Sequence, residues 1–189
     1  MSEIPNLKGV NLFLIGMMGA GKSTTAQILA ETFDYRFFDT DTLVEQLADQ
    51  TVDEIFAQSG EATFRALEAQ VLAELSSYRQ LAVATGGGIV LNPMNWSYLR
   101  HGLVVWLNAD ADTLWSRLKD DCTRPLLKTA DPFVTLKDKL EQRTSLYQQA
   151  DVEVAVPQDS APEAIAQQVI EAVKLRLRQD EPPSEVCSS

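Results

Sequence analysis

Between Gly16 and Ser23 the chain reads Gly-Met-Met-Gly-Ala-Gly-Lys-Ser, a glycine followed after four residues by Gly21-Lys22-Ser23. This spacing is the phosphate-binding P-loop, and it constrains the fold because it works only between a buried strand and a helix. Both flanks are present. Val10-Asn11-Leu12-Phe13-Leu14-Ile15 is an apolar run of the buried-strand type, and Thr24-Thr25-Ala26-Gln27-Ile28-Leu29-Ala30 continues as helix. Glycines let the backbone wrap an oxygen-rich anion and turn its N–H groups inward at a helix N-terminus. Gly19, Ala20, Gly21, Lys22, Ser23 and Thr24 are therefore expected to hold the phosphates of ATP. Lys22 has the reach of a mobile point charge toward the β- and γ-phosphates, and the Ser23 hydroxyl is a ligand for Mg²⁺.

A P-loop implies a parallel sheet, and the rest of the chain supplies one. Strands are predicted over 10–15, 35–39, 80–85, 103–108 and 151–156. Helices fall at 22–33, 41–49, 53–58, 61–77, 93–99, 110–119, 133–148 and 161–178. Such alternation predicts an α/β fold, a three-layer α/β/α sandwich around five parallel strands. The 189 residues suit one domain, 1–178, followed by a polar, proline-bearing tail, 179–189, expected to be disordered. The polar stretch 120–132 holds Asp120, Asp121, Pro125 and Asp131-Pro132, and is read as a mobile lid, with an ordinary surface loop as the alternative.

A net charge of −11 argues against nonspecific attraction to nucleic acid or an anionic membrane. Cys122 and Cys187 imply no disulfide framework, and no apolar run approaches a membrane span. A cytoplasmic, monomeric enzyme of small molecules is the expectation.

Two further groupings carry chemistry. Asp39 and Asp41, in Phe37-Phe38-Asp39-Thr40-Asp41, end the second strand at an i, i+2 spacing that puts both carboxylates on one face of an extended segment. One carboxylate there suits the Mg²⁺ shell and the other a substrate hydroxyl. The plainer alternative is helix capping, with Asp41 before Thr42-Leu43-Val44-Glu45 as an N-cap. Thr85-Gly86-Gly87-Gly88 follows Leu81-Ala82-Val83-Ala84, and a bare turn needs fewer glycines than three. His101 reads as a helix C-terminal residue before Gly102, while Trp96, Trp106 and Trp115 read as packing.

From about Leu7 to about residue 175 these features resemble the shikimate kinases, in the nucleoside monophosphate kinase-like branch of P-loop proteins. The resemblance rests on the P-loop, Phe37-Phe38-Asp39-Thr40-Asp41, and Gly60-Glu61 followed by Phe64-Arg65 and Glu68. It continues through Gly86-Gly87-Gly88, Thr123-Arg124-Pro125-Leu126-Leu127, and Arg143 ahead of Leu146-Tyr147. It implies transfer of the ATP γ-phosphoryl group to the 3-hydroxyl of shikimate, on the route to chorismate and the aromatic amino acids. By position it also implies that Asp39 supports Mg²⁺ and that Asp41, Arg65, Gly87 and Arg143 contact shikimate. Arg124 would come from the lid onto ATP, and Arg117 would lie near the adenine. The family often carries a further basic residue after the last strand; here Pro157-Gln158-Asp159-Ser160 stands instead.

These roles suit the residue types. A planar guanidinium grips a carboxylate through paired N–H donors, which fits Arg65 and Arg143, although helix-surface ion pairing with Glu68 or Glu141 is the alternative. Lys22, Asp41 and Arg124 are the expected catalytic set. A gluconate or nucleoside monophosphate kinase, or a catalytically silent P-loop interaction module, remain as other readings of the same motifs.

Overall fold

The computed structural model describes residues 5–119 and 129–180. Five strands form one sheet: β1 (Leu12–Ile15), β2 (Arg36–Asp39), β3 (Leu81–Ala84), β4 (Leu103–Asn108) and β5 (Val152–Ala155). Every pairing is parallel, in the order β2-β3-β1-β4-β5. Helices α1 (Lys22–Phe33), α2 (Thr40–Ala48), α3 (Val52–Gln58), α4 (Gly60–Ser76) and α5 (Pro93–Leu99) occur in the first part of the chain. Helices α6 (Ala111–Leu118), α7 (Pro132–Tyr147) and α8 (Pro162–Asp180) follow.

β1 shows why the sheet must be covered on both sides. Its four residues are all fully buried, as expected of a parallel strand inside a sandwich. Leu12 and Leu14 share a core with Leu29 of α1 and Val169 of α8. Phe13 and Ile15 belong to the opposite core, with Leu72 of α4 and Leu99 of α5. Trp96 and Trp106 are buried there, and half-buried Trp115 packs edge-on against Phe133 at 5.8 Å, so the three indoles do serve packing.

Most departures from the expected boundaries have local causes. β1 starts at Leu12 because the Asn11 side chain takes over the first bonds: its amide donates to the Tyr78 carbonyl at 2.8 Å and its oxygen accepts from Leu81 N–H at 3.0 Å. α5 ends at Leu99 with Arg100 as a right-handed C-cap, leaving His101 outside the helix. Pro132, assigned to the lid, is the first residue of α7, capped by Asp131. Residues 179 and 180, assigned to the tail, complete α8.

Register aligns the ends of the strands. Leu14 and Asp39 both stand opposite Ala84, and Ile15 stands opposite Trp106. The carboxyl ends of β2, β3 and β1 thus finish nearly level, and the chain leaves β1 between strands reached by connections on opposite sides. That is a topological switch point, where open α/β sheets bind ligands.

Candidate active site

The P-loop turns out of β1 into α1 at this point. Gly21 is the N-cap of α1 at φ 89°, a left-handed geometry that leaves the first helical N–H groups open to the cavity. Lys22 folds back so that its Nζ donates to the carbonyls of Gly16 and Met17, each at 2.9 Å. The Ser23 hydroxyl donates to Asp39 Oδ2 at 2.5 Å. A cavity of about 1010 Å³ opens above the loop, lined by Gly19, Gly21, Lys22, Ser23, Thr24, Asp39, Asp41 and Arg117 among others. Ala20 is fully buried and does not line it; its N–H donates within the loop to the Met17 carbonyl at 3.2 Å.

Asp39 and Asp41 do not share an extended face, contrary to the spacing argument. The strand stops at Asp39 and helix α2 begins at Thr40, with Asp39 rather than Asp41 as the N-cap. Asp39 Oδ1 accepts from Asp41 N–H at 3.0 Å. Buried Thr40 between them turns inward and accepts from Gly86 N–H at 2.9 Å. Both carboxylates still line the large cavity, so the pair meets there from a cap and a first helical turn.

A smaller cavity of about 60 Å³ adjoins the first and shares Met18, Asp41, Val52 and Gly87 with it. Arg65, Glu68, Arg143, Gly86 and Gly88 complete its polar wall, with Phe56 and Phe64 as apolar contacts. The glycines are there for room. A side chain on Gly86 would run into Glu68 Oε1 and lie 2.7 Å from Asp41 Oδ1, and one on Gly88 would run into the Arg65 guanidinium.

The two arginines arrive from different helices. On α4, Arg65 donates through Nη1 to Glu68 Oε2 at 2.8 Å and through Nη2 to Glu61 Oε1 at 3.1 Å. Glu68 is fully buried, so this is more than the surface pairing weighed from sequence. Burial pushes the Glu68 carboxyl up, Arg65 pulls it down, Asp41 pushes it up again, and the net direction is upward. Burial opposes the charge on Arg65, but Glu68 and then Glu61 outweigh it and hold the guanidinium above its ordinary value. On α7, Arg143 is buried and donates from Nη1 to the Gly87 carbonyl at 3.0 Å, with no ion pair to Glu141 among the described residues.

Arg117 lies at the far end of the large cavity. It donates to the carbonyls of Gly19 at 3.1 Å and Gln158 at 3.2 Å, tying the P-loop to the segment after β5. Gln158, Asp159 and Ser160 line the cavity at that end, with no basic side chain among them. Arg124 lies outside the described residues, as does most of the stretch 120–132.

The family model described as shikimate kinase matches residues 18–174, most of the chain. The chain belongs to the shikimate kinase family. A shikimate kinase of Trichormus variabilis is 52% identical over 173 residues, covering 92% of this chain and 96% of that one. One from a Synechococcus species is also 52% identical, over 181 residues, covering 95% and 96% respectively. Among solved structures, the shikimate kinase of Acinetobacter baumannii in complex with shikimate superposes with a TM-score of 0.84 at 32% identity, over 93% of this chain and 97% of that one. A gluconokinase of Sinorhizobium meliloti, at TM-score 0.53 and 18% identity, shares the fold alone. The family's reaction is phosphoryl transfer from ATP to an alcohol, so the chain is an ATP-dependent kinase.

Glu68 was visible in the sequence only as a motif letter and a pairing partner for Arg65, whereas Arg143 stood out as a carboxylate clamp. Glu68 occupies a polar place in the buried stripe Phe64, Glu68, Val71, Leu72 and Leu75 of α4, and Arg143 does the same beside Leu136 and Tyr147 of α7. A charge inside an apolar i, i+3, i+4 stripe is the signal that marks them.

Proposed function

We propose that the protein transfers the γ-phosphoryl group of ATP to the 3-hydroxyl of shikimate. The observation that carries this reading is the meeting of Arg65 and Arg143 around the glycine turn, in a small cavity that opens onto the P-loop cavity. A carboxylate fits between two guanidinium groups, half-buried Arg65 on α4 and buried Arg143 on α7. Gluconate carries the same group, and membership of the shikimate kinase family favours shikimate over it.

In this reading Gly19, Gly21, Lys22 and Thr24 hold the phosphates, and Arg117 and Gln158 border the adenine. Shikimate lies across Gly87 with its carboxylate toward Arg65 and Arg143 and a hydroxyl toward Asp41. The acceptor hydroxyl and the γ-phosphoryl group are thereby placed in line, and positioning with charge neutralisation accounts for the rate. The residues present fit Mg²⁺. Ser23 and Asp39 offer hard oxygen donors at the phosphate end, while the described residues contain no cluster of three or more acidic or sulfur ligands that would cage the ion alone. Mg²⁺ would be held by Ser23 and Asp39 together with the phosphates and water, and would supply charge neutralisation for phosphoryl transfer. Arg124 enters only through its motif, as the cation expected over the transferred group.

A coupled ADP-release assay with shikimate, gluconate and AMP as acceptors tests the reading, with turnover expected for shikimate alone. Calorimetry on Arg65→Ala and Arg143→Ala should show weak shikimate binding and nearly normal ADP binding. The opposite pattern would reassign both arginines to the nucleotide.

A further inference from the structure

Tyr147 stands one helical turn beyond Arg143, and both side chains converge on one backbone oxygen. The Tyr147 hydroxyl donates to the Gly87 carbonyl at 2.5 Å, and Arg143 Nη1 donates to the same carbonyl at 3.0 Å. The phenol ring is fully buried and stacks on Trp106 at 5.8 Å with 23° between planes. Trp106 in turn pairs in register with Ile15, the last residue before the P-loop. The ring therefore has a rigid seat, and a phenylalanine would fill that seat as well. The hydroxyl is what packing leaves unexplained.

A carbonyl oxygen has two lone pairs, and this one accepts from both donors. Both groups also reach Met17 Sδ, each at 3.8 Å, so Arg143 Nη1 is held between the carbonyl and the sulfur, which fixes the guanidinium plane and leaves Nε and Nη2 for a ligand. The Gly87–Gly88 peptide is trans and planar, so pinning its carbonyl toward α7 also aims the Gly88 N–H to the opposite side. Glycine on both sides of that peptide gives it no side chain of its own to hold it. Burial pushes the phenol up to about 12, against the pull of Arg143, so it stays a neutral donor throughout the physiological range.

We propose that Tyr147 is a positioning residue of the acceptor site: by sharing the Gly87 carbonyl with Arg143, its hydroxyl orients that guanidinium and the Gly87–Gly88 peptide for the carboxylate of the acceptor. The proposal rests on the reading of Arg143 as a carboxylate ligand. It adds a residue that touches no substrate and acts through two groups that do.

The test is Tyr147→Phe, which keeps the ring on Trp106 and removes only the donor. KM for shikimate should rise roughly 5–10-fold, the loss from one neutral hydrogen bond, with kcat and KM for ATP changed by no more than about twofold. For a shikimate analogue bearing a hydroxymethyl group in place of the carboxylate, kcat/KM should be the same in wild type and variant within about twofold. An unchanged shikimate KM, or an equal loss with both acceptors or with ATP, would reduce the hydroxyl to a packing detail and overturn the proposal. Arg143→Ala separates the two levels. If it leaves shikimate KM unchanged, the carboxylate reading itself has failed; if it raises KM while Tyr147→Phe does not, only the positioning role falls.

Discussion

The guanidinium of Arg65 lies in the space that a side chain on Gly88 would occupy. Glu68 Oε2 and Glu61 Oε1 hold it there from its own helix, so it cannot withdraw without giving up a fully buried partner.

Gly88→Ala therefore forces a choice between breaking the Arg65–Glu68 pair and moving the turn after β3. Breaking the pair is the smaller movement, since Gly87 backs onto Gly16, Met17 and Met18 of the P-loop; it spoils the acceptor cavity and leaves the loop in place. Shikimate KM should rise by at least roughly 10²-fold, as for misplacement of a buried charged ligand, while ADP binding by calorimetry stays near wild type. Loss of ADP binding in parallel would show that the turn supports the nucleotide site instead.

Lys22→Ala removes the cation at the phosphates. Turnover should fall by at least ~10²-fold, in line with other electrostatic contributions to transition states, with a circular dichroism spectrum like that of wild type. A variant keeping more than a tenth of the activity would sink the assignment of this loop.

Asp39→Asn tests the Ser23–Asp39 contact. Asparagine caps helices as well as aspartate does, so α2 should survive the change. The Mg²⁺ concentration for half-maximal rate should rise roughly 10–100-fold, the range for removing a residue that orients a metal ligand. Titrating MgCl₂ at fixed ATP reads this directly, and an unmoved midpoint would remove Asp39 from the metal site.

Tyr147 makes a prediction in pH. Its phenol is raised from 10.0 to about 12 in the fold, so the neutral form is favoured by folding. That contribution is fully present below about pH 10 and is lost as pH rises through about 12, where the unfolded chain ionises first. The loss approaches roughly 2–3 kcal/mol. Urea unfolding from pH 9 to 12 should therefore bring wild type down relative to Tyr147→Phe, and parallel curves would place the phenol in water.

The sheet and the phosphate loop were legible because their causes are local. Four consecutive apolar residues ending at Ile15, and glycines at set distances from Lys22, carry their own geometry. The Asp39–Asp41 pair misled because the spacing was read as strand, whereas the capping carboxylate of Asp39 starts the helix one residue early. Glu68 and Tyr147 were illegible as site residues for another reason. Their meaning lies in Gly86 and Gly87, which are distant in the chain and are brought close only by the register of β3 beside β1 and by the packing of α7.

Lys22 rests on the carbonyls of Gly16 and Met17. An incoming oxygen must outbid two well-placed neutral acceptors, so what it brings is judged by difference and not by contact alone. A hydroxyl or a carbonyl offers the ammonium little that it lacks, whereas a polyphosphate offers a concentrated negative charge that no backbone dipole matches. The loop is in this sense a threshold device. Lys22 is thereby set to answer to charge density, of the kind a triphosphate carries.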